Sequence, residues 1–93
     1  MWKSIKGTVS FMISDDYKER FVAEYWQTKI RYEKLHRMII KYEAGTLKFT
    51  PVTPLHILEE QARFMGLYLK QLELRAELEG VRLFEEDENE PYQ

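Results

Sequence analysis

Cations and aromatic residues share the first half of the chain in a spacing that suits an anionic ligand. Lys34, Arg37 and Lys41 follow i, i+3, i+7 steps, so on a helix they lie on one face. Aromatics and cations alternate upstream within three helical turns: Tyr17, Arg20, Tyr25, Trp26 and Lys29. Aromatic rings stack on bases and cations bind phosphate, the two contacts that a small nucleotide requires. A solvated helix face for the cations and a packed core for the aromatics are the open alternatives.

Catalytic constellations are missing from the sequence. The histidines, His36 and His56, stand alone and belong to no pair with metal-ligand spacing. The glycines are scattered, which excludes a glycine-rich phosphate loop. We therefore expect a protein that is not an enzyme and that carries no metal or cofactor.

Composition narrows the remaining classes. The 93 residues allow one domain, and an apolar content of 44% is typical of a folded chain. The chain has no cysteine, so disulfides and thiolate metal sites are excluded. No apolar run approaches the ~20 residues that span a bilayer, and no signal peptide is evident, so we expect a cytoplasmic protein without membrane contact. The net charge of −2 disfavours duplex DNA as a partner.

Two long helices are predicted to position these residues. One heptad stripe comprises Phe21, Tyr25, Thr28, Tyr32, Leu35, Ile39 and Tyr42. A second stripe comprises Leu55, Leu58, Ala62, Met65, Leu69, Leu72 and Ala76. Each stripe needs an apolar partner, and the short connection between them places them side by side. The pattern predicts an all-α fold, a long antiparallel helical hairpin with helices at about 15–44 and 54–79.

Helix-end signals support these boundaries. Asp15 or Asp16 is the predicted N-cap of the first helix, and Asp16 with Glu19 three residues later resembles a capping box. Thr53 is the predicted N-cap of the second helix. Gly45 and Gly80 are placed to end the two helices, where a left-handed residue is common.

The ends of the chain are expected to differ from the hairpin at 14–83. Val9, Phe11 and Ile13 alternate with other residues, which favours a short extended N-terminal arm over residues 1–13. Residues 84–93 are rich in glutamate, so we expect an acidic disordered tail.

Apolar residues outside the two stripes predict self-association. They are Val22, Trp26 and Ile30 on the first helix, and Ile57, Phe64, Leu67, Tyr68, Leu74 and Leu78 on the second. Leaving such side chains in water forgoes about 1.5–3 kcal/mol each. We expect a homo-oligomer that forms through helix faces. The alternative is that the N-terminal arm covers part of this surface.

The helix positions resemble those of a known group of proteins. Tyr17-Lys18-Glu19-Arg20-Phe21, Arg31-Tyr32-Glu33-Lys34-Leu35 and Leu58-Glu59-Glu60-Gln61-Ala62 carry the resemblance. The chain is similar over about residues 15–83 to small phage helical hairpins, including the anti-CBASS and anti-Thoeris sponge proteins. The resemblance implies a non-enzymatic homo-oligomer, typically a hexamer, that sequesters a cyclic nucleotide immune signal.

Some family residues have counterparts here. Anti-CBASS sponges carry Ile-Lys-Gly and a ligand-contacting Tyr before the first helix; here Thr8 follows Ile5-Lys6-Gly7. Lys18 or Arg20 matches the helical cation, and Arg63 and Arg75 have a spacing similar to the family's paired arginines. The resemblance thus implies a cyclic oligonucleotide or, given Thr8, a signal of the cyclic ADP-ribose type.

Two functional hypotheses follow. The first is a phage anti-defence sponge in the cytoplasm of the bacterial host. Its phosphate ligands would be Arg20, Lys29 or Arg75, and its base-stacking rings Tyr17, Tyr25 or Trp26. The second is a helical protein–protein interaction module or inhibitor that binds a host protein through its apolar surface and acidic tail.

Overall fold

The computed structural model describes residues 5–84. This part of the chain contains α1 (Val9–Met12), α2 (Tyr17–Ala44) and α3 (Leu55–Glu79), preceded by a 3-10 turn at Ile5–Thr8. No strand occurs among residues 5–84, so the predicted all-α class is confirmed there.

The N-terminal segment is helical, and the predicted extended arm is wrong for residues 5–12. The Thr8 hydroxyl donates to the Ile5 carbonyl at 2.7 Å and accepts from Gln27 Nε2 at 2.9 Å. Thr8 is completely buried, and Phe11, one turn later, packs against the core. A helix turns these two side chains toward α2 together, whereas a strand would separate them. Residues 1–4 of the predicted arm lie outside the described residues.

α2 begins at a cap that the sequence identified. The Asp16 carboxylate accepts from the Lys18 amide at 2.9 Å, which confirms Asp16 as the N-cap. The Asp16 amide donates to Ser14 Oγ at 3.0 Å, so Ser14 takes the place that the capping box assigned to Glu19. Gly45 ends the helix with φ +78°, as predicted.

α3 begins one residue later than its predicted cap. Pro54 is the N-cap, and no side chain caps the helix, so the assignment to Thr53 is wrong. The Pro54 carbonyl accepts from the Ile57 and Leu58 amides and starts the helical hydrogen bonds by itself. Gly80 ends the helix with φ +69°, as predicted. Val81 then folds back, and its amide donates to the Ala76 carbonyl at 2.8 Å.

α2 and α3 pack along their heptad stripes, and their contacts run in opposite order along the two helices. Tyr32 lies beside Gly66 near the connection, while Phe21 lies under Arg75 at the other end. The core cluster consists of Phe21, Val22, Tyr25, Leu69, Leu72, Ala76, Val81 and Leu83.

A second face of α2 is covered by both ends of the described chain. Phe11 packs on it from the N-terminal segment, and residues 81–84, which we call the C-terminal segment, pack on it after α3. Val22 and Ile30 are consequently buried. Phe84, which was assigned to the disordered tail, packs against this core; the rest of that tail, residues 85–93, lies outside the described residues.

An apolar stripe on α3 stays exposed. This outer face of α3 consists of Ile57, Phe64, Leu67, Leu74 and Leu78. Phe64 is 54% exposed and Leu78 is 85% exposed. Val22 and Ile30 of α2 are therefore buried within the chain, whereas these apolar residues of α3 stay exposed.

Candidate ligand-binding site

The start of α2 and the end of α3 meet, and this brings two predicted site residues together. Lys18 Nζ donates to the Gly80 carbonyl at 3.4 Å across the junction. The Arg75 guanidinium lies 4.8 Å from the centre of the Phe21 ring. Tyr17, the first residue of α2, is 47% exposed beside it. We call Tyr17, Phe21, Arg75 and Glu79 the Arg75 cluster.

Arg75 is held in a fixed orientation. Its Nε and Nη2 donate to the two carboxylate oxygens of Glu79 at 2.8 and 3.3 Å. The hydrogen bond to Glu79 raises the pKa of Arg75, and the same bond lowers the pKa of the Glu79 carboxyl. A hydrogen bond from Tyr17 also lowers the pKa of Glu79. The cluster thus contains a planar guanidinium that forms a bidentate contact with the Glu79 carboxylate. The exposed aromatic ring of Tyr17 lies next to this guanidinium.

Arg20 and Lys29 are engaged elsewhere on α2. Arg20 Nη1 donates to the Ser14 carbonyl at 2.7 Å and so braces the turn before the helix. Lys29 Nζ lies 4.0 Å from the Glu33 carboxylate one turn later. Both side chains have surface available to solvent, but neither belongs to the Arg75 cluster.

Tyr25 and Trp26 are packed in the interior. Tyr25 is 0% exposed, and its hydroxyl donates to Glu73 at 2.5 Å. Burial, and then the Glu73 carboxylate, raise the pKa of Tyr25 well above its usual range, so the phenol stays neutral. Trp26 is half-buried, its Nε1 donates to the Leu83 carbonyl at 3.1 Å, and its ring meets Phe84 edge-on at 5.6 Å. The core interpretation of these aromatics therefore fits Tyr25, which has no surface on which a base could stack.

Arg63 is remote from Arg75 within one chain. Twelve residues of α3 separate them, about 18 Å along the axis. The Arg63 guanidinium lies over the ring of Phe64 at 4.5 Å, on the outer face of α3. Within one chain, Arg63 therefore does not belong to the Arg75 cluster.

The basic face of α2, defined as Lys34, Arg37 and Lys41, is exposed. Within residues 5–84 the ion pairs are Lys29–Glu33 and Arg75–Glu79, so the three cations of the basic face have no carboxylate partner there. They form a separate positive surface beyond the part of α2 that the chain ends cover.

Several contacts of the site escaped sequence reasoning. The sequence identifies Phe21 as a heptad residue, but its ring also makes a cation–π contact with the Arg75 guanidinium. The Arg75–Glu79 pair has i, i+4 spacing, a signal that identifies it in hindsight. A hydrogen bond from the Tyr68 hydroxyl to Glu24 joins α3 to α2, and no local signal predicts it. Among residues 5–84 no three His, Cys, Asp or Glu side chains are grouped in a way that would hold a metal ion.

Comparison with known proteins adds a family. A family model described as Sequestin matches residues 15–78, more than half of the chain. The matched range includes α2 and α3 up to Leu78, with Tyr17 and Arg75, and omits both covering segments. No curated protein and no solved structure matches the chain. None of the helices within residues 5–84 is long and apolar enough for a membrane span.

Proposed function

Because the chain belongs to the Sequestin family, we propose that it sequesters a cyclic nucleotide signal of host antiviral defence in the bacterial cytoplasm, without cleaving it. The observation that carries the proposal is the Arg75 cluster. The family name speaks of sequestration, and the cluster offers the two contacts that a nucleotide requires. Release of the intact ligand distinguishes this function from that of an enzyme.

Arg75 is the proposed phosphate ligand. A phosphate presents two oxygens in the same geometry as the Glu79 carboxylate, so it can take the place of Glu79 on the guanidinium. Phe21 stays under the guanidinium during this exchange and preserves its orientation. The exposed ring of Tyr17 is then the surface on which a base stacks.

The oligomer completes the site in this proposal. Tyr17 and Arg75 lie on the surface of one antiparallel hairpin, and Leu74, next to Arg75, belongs to the outer face of α3. A second copy that covers this face would enclose the space beside Arg75. The Arg63 side chain of that copy could then supply a second guanidinium to the same ligand. Such a ligand would be enclosed at a subunit boundary, which favours slow release. A hexamer is the size that the sponge resemblance implies.

The binding test is a thermal-shift panel of cyclic dinucleotides, cyclic trinucleotides and cyclic ADP-ribose isomers. A ligand at a hundred times its Kd should add ~2.7 kcal/mol of stability. Heat denaturation followed by chromatography must return the ligand unmodified. A modified product would identify an enzyme, and no shift across the panel would refute the sponge.

Matched variants locate the site. Arg75→Ala should abolish the shift, and Arg75→Lys should weaken it because an ammonium group cannot make the paired contact. Lys70→Ala removes the same charge from an exposed position on α3 and should leave binding intact. Equal losses in the Arg75 and Lys70 variants would show a general electrostatic effect and contradict the assigned site.

Leu67→Gln and Leu74→Gln test the oligomer. Both side chains are about half exposed, so the single chain should fold normally while the outer face of α3 loses its apolar character. Light scattering should report a smaller particle with unchanged helical circular dichroism. An unchanged particle mass would exclude this face as the interface.

The exposed outer face of α3 also favours a second function, a helical module that binds a host protein. A helix inserts such an apolar stripe into a groove of its partner. In that case truncation after Phe84 should weaken partner capture if the acidic tail contributes, whereas a sponge should keep its ligand.

A further inference from the structure

The face of α2 that points away from α3 has an apolar half and a basic half. Trp26, Ile30, Lys34, Arg37 and Lys41 follow i, i+4, i+8, i+11, i+15 steps and share this face. The chain ends cover the apolar half, and Lys34, Arg37 and Lys41 are exposed on the basic half. Along this face, residues therefore change from buried to exposed within two helical turns.

The C-terminal segment runs along α2 toward the basic half. The Gly80 carbonyl is 3.4 Å from Lys18 Nζ, and the Leu83 carbonyl is 3.1 Å from Trp26 Nε1. Lys18 and Trp26 are eight residues apart, about 12 Å along the axis of α2, so the segment runs from the start of α2 toward its middle. Phe84 is fixed against Trp26, with their ring centroids 5.6 Å apart, so the described chain ends beside the apolar half.

The residues that follow Phe84 carry the complementary charge. They are Glu85, Glu86, Asp87, Glu88, Asn89 and Glu90. Six extended residues reach about 20 Å. The three cations of the basic face lie about 12 to 22 Å beyond Trp26 along the helix, so the acidic segment matches the basic face in length and in sign.

We propose that residues 85–90 bind the basic face of α2 in the same chain and shield it from other polyanions. The segment and its anchor lie outside the range of the family match, so this contact is a feature of this chain that is independent of the proposed ligand site. Its consequence is selectivity, because an exposed row of cations attracts nucleic acid without regard to sequence. Truncation after Phe84 then exposes the row.

Paramagnetic relaxation tests the contact directly. The chain has no cysteine, so Asn89→Cys gives a single attachment point for a spin label. Amide signals of Lys34, Arg37 and Lys41 should broaden at low salt and recover at high salt. The triple variant K34Q/R37Q/K41Q should abolish the broadening. Broadening that survives the triple variant, or that never appears on this face, would overturn the proposal.

Two further measurements exclude other occupants. In the first, spin-labelled chains at natural isotope abundance are mixed with ¹⁵N-labelled chains that carry no spin label. Broadening of the signals of the ¹⁵N-labelled chains would assign the segment to a second copy and overturn the intramolecular contact. Inorganic polyphosphate is the polyanion probe. The chain truncated after Phe84 should bind it about tenfold more tightly than the full chain, which corresponds to weak competition from three exposed ion pairs. Equal affinity of the two chains would show that the segment does not shield the face.

Discussion

The hydrogen bond between Tyr25 and Glu73 is the central polar link between α2 and α3. Tyr25 is fully buried, and its hydroxyl is 2.5 Å from the carboxylate. Tyr25→Phe keeps the ring in the core and removes only the hydroxyl. A hydrogen bond to a charged acceptor contributes about 1.5–3 kcal/mol. Because Glu73 keeps some contact with solvent, water replaces part of the bond. We expect a loss of about 1.5 kcal/mol, the lower end of that range.

Urea unfolding followed by circular dichroism measures this loss, and a double-mutant cycle isolates the pair. Tyr25→Phe and Glu73→Ala should be non-additive, with a coupling of about 1 kcal/mol or more. The loss should lower Tm by about 6–12 °C in a domain of this size. Tyr42→Phe, at an exposed position, is the matched control and should change little. A coupling below about 0.5 kcal/mol would refute the reasoning.

The pH dependence gives a second readout of the same bond. The pKa of Tyr25 is raised in the folded chain, so folding favours the neutral phenol. Its stabilising contribution is complete below the unfolded pKa of about 10 and is lost as pH rises further. The difference in unfolding free energy between wild type and Tyr25→Phe should therefore shrink above about pH 10. A difference that stays constant in this range would mean that the hydroxyl is not the group that titrates.

Three further substitutions concern α3 and the glycine that ends it. Gly66→Ala should raise stability by about 0.5–1 kcal/mol, because the added carbon would lie 3.5 Å from the Tyr32 ring, an ordinary contact, and alanine favours the helix. Gly80→Ala should instead destabilise the chain, since φ is +69° there; urea unfolding compares the two, and equal signs would contradict the assignment. A hydrogen bond with Glu43 is the largest cause of the raised pKa of Glu59, so ionisation of Glu59 opposes folding as pH rises. Glu59→Gln should raise Tm at neutral pH and have no such effect in acid, where Glu59 is protonated; a benefit that persists in acid would exclude ionisation of Glu59 as its cause.

The long helices were predictable because their signals are local. Gly45 and Gly80 adopt the left-handed conformation that ends a helix, and Asp16 caps α2 with its own side chain. Each of these effects acts over a few neighbouring residues, so the sequence alone reveals them. The helical conformation of the N-terminal segment was not predicted, because the burial of Thr8 against Gln27 depends on residues far apart in the chain.

The candidate site was predictable only in part, for the same reason. Heptad spacing placed Tyr25 on the buried stripe, but residue type alone left it equally suited to stack on a base. Tyr25 is held in the core by a hydrogen bond to Glu73, which is 48 residues away in the sequence. Trp26 is held by a hydrogen bond to the Leu83 carbonyl, which is 57 residues away. Tyr17 and Arg75 came together through the end-to-end meeting of α2 and α3, which spacing within one helix does not specify.

The covered face of α2 changes the argument for self-association. Val22 and Ile30 are buried within the chain, so they exert no demand for a partner. The largest group of exposed apolar side chains on one helix face is on α3, where Phe64, Leu74 and Leu78 remain in water. Subunits that meet through this face necessarily meet beside Arg75, which follows Leu74. The proposed interface and the proposed ligand site therefore share one helix. If both proposals hold, a substitution that separates the subunits should also open the site, so that loss of the oligomer and loss of slow ligand release occur together.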